Sequence, residues 1–193
     1  MSPQRSNRSN LIEGTLRCLE RLPPDRVTAR AIAAESGANL ASIAYHFGSK
    51  YDLVTEATIE GLDRWLAEID DRLAALPADE PDARFQLAVE VMNATRRRHT
   101  GLARNFVGAL ARAQSDPKVK ALLAEGFRHS RPNVAAVLGL GDDEAGEDAG
   151  GLVLALFHGL LLASLLDSGL AIEGNRMELA QARLRRAIPA RPA

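Results

Sequence analysis

Residues 28–50 read TARAIAAESGANLASIAYHFGSK, and this stretch decides the fold. Thr28 has the side chain of a helix N-cap and opens a short run, Ala29 to Ser36, that Gly37 stops. A second short run follows from Leu40 to Phe47 and stops at Gly48. Two short helices joined by a tight glycine-containing turn meet the physical requirement of a helix-turn-helix. In the second helix Leu40, Ile43 and Phe47 fall at i, i+3 and i+7 and are expected to face a core. The opposite face is then Ala41, Ser42, Ala44, Tyr45 and His46. Small residues at 41, 42 and 44 let a helix backbone sit deep in a major groove, and Tyr45 and His46 stand at the helix end, within reach of phosphates. Lys50 adds a cation at the first turn of the next helix, beside the positive end of its dipole.

Working outward, the flanks read as helix throughout. Upstream, Asn10 to Arg21 carries Ile12, Leu16 and Leu19 on one face, with Asn10 and Glu13 spaced as a capping box and Pro23-Pro24 as the stop. Downstream, Ser49 caps a long helix to about Leu76 with an apolar stripe at Leu53, Ala57, Leu62, Leu66, Ile69, Leu73 and Leu76. A polar connection from Pro77 to Pro81 follows, then helices over 82–99, 102–113 and 118–138, the last kinked or broken near Pro132. The segment 139–151, rich in Gly, Asp and Glu, is expected to be a loop, and two helices, 152–167 and 176–188, close the chain. The fold class is all-α, with about nine helices: an amino-terminal three-helix unit over 1–50 and a helical unit over 51–193. Only 4% of the 193 residues are aromatic while Ala and Leu dominate, which favours helices over pleated surfaces.

Charge agrees with a division of labour. Residues 1–50 hold seven Lys/Arg against four Asp/Glu, a net of +3, so with −1 overall the remainder carries −4. A basic front on an acidic body is expected when only the front meets phosphate. Single Cys18 excludes an internal disulfide and a cysteine-rich zinc site, and is read as a buried core thiol. His99, His129 and His158 share no metal-ligand spacing, and no nucleophile set, phosphate loop or paired carboxylates appear, so neither an enzyme, a metal site nor a cofactor is expected. Of the three, His158 is the one most open to a functional role, because it interrupts an apolar helix face. Arg96-Arg97-Arg98-His99 is expected as a solvated helix carboxy end. The most apolar stretch, Gly151 to Leu166, falls short of the roughly 20 residues that span a bilayer. With no apolar leader in the first residues, a cytoplasmic protein with no membrane partner is expected.

The elements Thr28, Ile32-Ala33, Gly37, Tyr45-His46-Phe47 and Ser49-Lys50 together resemble the signature of the TetR (tetracycline-repressor) family. The detailed likeness covers about residues 10–55. It implies a DNA-binding transcriptional regulator in which Thr28 and Arg30 lie near the DNA backbone and Asn39, Ala41 and Ser42 face base edges, unless Asn39 caps the recognition helix instead. It further implies that Tyr45, His46 and Lys50 bind phosphates. Ala44 departs from the pattern, since relatives often carry a second aromatic or polar residue there, which leaves more of the recognition to shape. The resemblance implies a homodimer on double-stranded DNA with a palindromic operator, joined through its last two long helices. The apolar surface of 152–166 and of Met177, Ala180, Leu184 and Ile188 fits such an interface. It also implies a small-molecule effector in an apolar pocket, with Trp65, Met92, Phe106, Phe127, His129 and Phe157 as candidate wall residues. The scarcity of aromatic residues and the lack of a charge cluster point to a lipophilic, weakly charged effector whose binding releases a repressor. The rival readings are an enzyme using that pocket and an adaptor whose helix-turn-helix docks protein.

Overall fold

The computed structural model describes residues 7–74, 81–96 and 98–187, and every regular element among them is helical. In chain order these are α1 (Asn7–Arg21), α2 (Ala29–Ser36), α3 (Leu40–Phe47), α4 (Lys50–Ala74), α5 (Pro81–Thr95), α6 (Thr100–Arg112), α7 (Pro117–Leu138), α8 (Glu144–Leu166) and α9 (Asn175–Ala187). Single 3-10 turns at Pro24–Arg26 and Ser168–Leu170 complete them. The all-α expectation is thus met. The expected helix end at Leu76, the connection from Pro77, Arg97 and the apolar Ile188 lie outside the described residues.

The first three helices wrap one apolar cluster. Leu11, Ile12, Cys18 and Leu19 of α1 meet Ile32 of α2, Ile43 and Phe47 of α3, and Leu53, Val54 and Ala57 of α4. Burying a side chain of this size stabilises by roughly 1.5–3 kcal/mol, so this small unit has a dense core for its length. Helix α1 starts at Asn7 rather than Asn10, because the added turn has something to pack on: Arg8 pairs with Glu56 and lies over the Phe47 ring, 5.1 Å from its centroid. Glu13 is therefore no capping residue; it takes the Arg64 guanidinium at 2.6 Å.

A second cluster forms the body, with Trp65, Ile69 and Leu73 of α4, Ala88, Val91 and Met92 of α5, Ala103 of α6, Val134 and Leu138 of α7, and Leu161 of α8. The single helix α4 thus supplies wall to both cores. Helix α6 joins them again: Leu102 belongs to the first cluster and Ala103 to the second. A Cβ built on Gly101 would stand 1.8 Å from the Leu19 carbonyl oxygen, so α6 meets the end of α1 backbone to backbone, and no residue but glycine fits without movement.

Three expectations need correction. Helix α7 runs unbroken through Pro132. The acidic stretch expected as a loop is largely helix: Asp143 caps α8, accepting from the Gly146 amide at 2.9 Å, and Glu144 and Glu147 complement the dipole in the first turn. Gly150 serves contact rather than flexibility, for a Cβ there would meet the Arg131 carbonyl oxygen of α7 at 2.4 Å. Because α8 begins eight residues earlier than expected, it has 23 residues, and by length and composition it is the one described helix able to cross a membrane. The third concerns α5, which ends at Thr95 rather than at 99. Of the basic run, Arg96 pairs with Glu173, while Arg98 and His99 both meet Glu68, at 2.5 and 3.4 Å.

Candidate nucleic-acid interface and interior cavity

The helix-turn-helix is held by caps at every end. The Thr28 hydroxyl accepts from the Ala31 amide at 3.1 Å, and Gly37 closes α2 with a positive φ of 64°. The Asn39 side-chain oxygen accepts from the Ala41 amide at 3.0 Å and starts α3. Each such cap stabilises by about 1 kcal/mol. Asn39 thus spends its acceptor on the helix and keeps its amide N–H groups for a partner. Arg17 and Arg21 both bind Glu35, at 2.7 and 2.6 Å, and tie α2 to α1. The Arg17 hydrogen bond leads in holding the Glu35 carboxyl below the usual carboxylate range.

What α3 shows to solvent differs from expectation at one position. Ile43 and Phe47 are buried, but Leu40 is 47% exposed. It is the first residue of α3, and the core ends one turn further along, so periodicity alone misassigned it. The open face is Leu40, Ala41, Ala44 and Tyr45, with Ser42 and His46 half-buried at its margins. Tyr45 is 84% exposed and stands edge-on to the His46 ring, 4.8 Å between centroids. An exposed tyrosine with no packing duty is a polar tip presented outward. Thr28 and Arg30 are exposed at the start of α2. Lys50 is half-buried, its Nζ donating to the Val27 carbonyl at 3.2 Å and lying 4.4 Å from the Tyr51 ring centroid. Tyr51, missed in the sequence, is exposed between two cations, for Arg112 of α6 approaches the same ring at 5.4 Å.

A family model described as "Bacterial regulatory proteins, tetR family" matches residues 11–57, which hold α1 to α3 and the start of α4. Over these residues the chain is similar to the amino-terminal region of that family. Over nearly its whole length the chain follows the fold of solved transcriptional regulators. A putative transcriptional regulator from Rhodococcus sp. RHA1 superposes with a TM-score of 0.71 at 17% identity, covering 94% of this chain and 95% of that one. One from Streptomyces coelicolor A3(2) gives 0.65 at 24% identity, covering 96% and 100%. A regulator from Saccharomonospora viridis, solved in complex with choline, gives 0.58 at 21% identity, covering 93% and 95%. The multidrug binding protein EbrR, solved with imidazole, gives 0.64 at 24%, covering 98% and 94%. No curated protein matches the chain in sequence.

In the body an apolar cavity of about 100 Å³ lies between α4, α5, α6, α7 and α8. Of the six candidate wall residues, Trp65, Met92, Phe106, Phe127 and Phe157 line it. His129 does not. It is exposed on α7, between the lining residues Phe127 and Ser130, and near enough to act on Asp63. His158 of α8 takes that place instead, stacked 5.0 Å from Phe106 and edge-on to Phe127 at 5.2 Å. Burial pushes its pKa down, which keeps the imidazole neutral near neutral pH. Trp65 is anchored from behind: its indole N–H donates to Thr95 Oγ1 at 2.7 Å, and the His99 ring stacks on it at 4.7 Å. Asp63, exposed, also lines the cavity and so stands where it opens to solvent.

Proposed function

We propose that this regulator is a repressor that leaves a palindromic operator when a small, largely apolar effector occupies the cavity. The observation that carries the reading is that one helix serves both ends. Helix α4 offers Lys50 beside the reading helix and Ile59, Leu62, Trp65 and Ile69 to the cavity, while α6 brings Phe106 to the same cavity and Arg112 to Tyr51 and Thr55. A ligand that favours a different spacing of these helices also favours a different attitude of the reading heads, which is a population shift between two states. Thr28, Arg30, Asn39, Ala41, Ser42, Tyr45, His46 and Lys50 are the proposed DNA contacts, and Leu40 joins them as an apolar surface suited to a thymine methyl. Residues 1–50 are taken as the reading unit and 51–193 as the sensing and pairing unit. The relatives bound to choline and to imidazole favour a small-molecule site in this fold.

Pairing through α8 and α9 is part of the proposal. Leu152 is 74% exposed and Leu166 85%, and with Ala155, Leu156 and Gly159 they form one open apolar strip along α8. On α9 Met177 is buried, but Leu179 and Leu184 face solvent. A second copy covers such a surface and sets two reading heads on successive major grooves. The proposed working compartment is the one that holds the DNA, the cytoplasm.

Selection of random duplexes by the purified protein at physiological salt tests the reading. Enrichment of a palindrome with half-sites about one helical turn apart is expected. Enrichment of an asymmetric site, or none, counts against the dimeric repressor. On the selected duplex, Lys50→Ala is expected to flatten the dependence of log affinity on log salt by roughly one unit. An unchanged slope removes Lys50 from the contacts.

A further inference from the structure

We propose that the cavity selects an organic cation: an ammonium compound whose apolar part fills the aromatic interior and whose charge is met by the Asp63 carboxylate at the mouth. This names the effector class for the site proposed above and rests on that reading.

The wall chemistry is one-sided. Ile59, Leu62, Leu66, Leu123 and Leu154 join the aromatic residues, and no Lys or Arg lines the space, so an anion has no partner there. A richly hydroxylated ligand is equally poorly served. Ser130 already donates its hydroxyl to the Gly126 carbonyl at 2.9 Å, which leaves the imidazole of His158 as the chief neutral polar group. The one carboxylate among the lining residues is Asp63. Its nearest acidic neighbours along α4, Glu60 and Glu68, hold cationic side chains: Arg64, and Arg72 with Arg98. Asp63 has no hydrogen bond or ion pair among the described residues, although Arg64 is its neighbour in sequence; that guanidinium is turned to Glu13 and Glu60 instead. The titratable groups that act on Asp63 are His129, which lies outside the cavity, and Glu60. Desolvation pushes its carboxyl up from the ordinary value, so a cation brought to the mouth relieves an existing cost. A cavity of about 100 Å³ is on the scale of one aromatic ring, which leaves the charged group at the opening.

The test compares benzyltrimethylammonium with its neutral isostere neopentylbenzene on the full chain. The fluorescence of Trp65, the chain's single tryptophan and a wall residue, is the readout. The ammonium is expected to bind about tenfold more tightly than the isostere. That preference is expected to vanish in Asp63→Asn and to survive in Asp63→Glu. Equal affinities in the unaltered protein, or a preference that persists in Asp63→Asn, overturn the proposal while leaving an apolar effector site standing. If neither compound perturbs Trp65, the effector-site reading falls, and the cation proposal falls with it.

Discussion

The reading head and the body of this molecule are finished to different degrees. In the head, α1, α2 and α3 close on a core with Leu11, Ile32 and Leu53 wholly buried, both ends of α2 and α3 are capped, and Arg17 and Arg21 share Glu35 across the first two helices. The body has a cavity within it and an apolar strip along α8 outside it. A head that must present one surface to DNA gains from having a single packing, and close-packed cores behave that way. A body with the proposed ligand response and pairing needs room and an uncovered face. The difference teaches where to look for change: the head is carried, and the body moves.

The largest effect is expected where that contrast is sharpest. Phe47→Ala empties a fully enclosed site and should cost about 3–5 kcal/mol in thermal or denaturant unfolding. A loss below about 1 kcal/mol means the head core is looser than described. Gly101→Ala comes next. Its methyl group must push α6 off the Leu19 carbonyl, with overpacking of roughly 1–3 kcal/mol, and operator affinity should change while the Trp65 response to ligand persists. Unaltered operator binding and stability in that variant would separate head from body and break the comparison. The smallest effect is a pH dependence confined to the body. Burial lowers the pKa of both His99 and His158, so the unfolded chain binds their protons first. Their neutral forms leave stability intact above about pH 6.5, the unfolded value. Stability is then lost as pH falls through the lower folded values. The melting temperature should therefore drop between pH 7 and 5, and by less in His158→Phe, which keeps the ring stack. An identical drop in both proteins removes His158 from the account.

How much of this was legible in the sequence follows from what each signal measures. Caps and periodicity are local, so Thr28, Gly37, Ile43 and Phe47 could be placed without a structure. The same periodicity failed at Leu40 because it takes no account of where a core ends. The loop expected over 139–151 was an error of composition: Asp143 and Glu144 are also what a helix start looks like, and Gly150 was chosen by the nearness of α7, which no local pattern reveals. His129 and His158 differ by a register that depends on how α7 and α8 face each other, a relation set by tertiary packing. The unpaired state of Asp63 is of the same kind, since it rests on where Arg64 turns.

The contact of Gly101 with Leu19 has a mechanical consequence. Side chains between two helices act as padding, because a rotamer change can take up a small displacement before either backbone moves. Here the padding is missing, and main chain bears on main chain. The joint works like a gear train without backlash, so whatever shifts the first turn of α6 is handed undiminished to the last turn of α1.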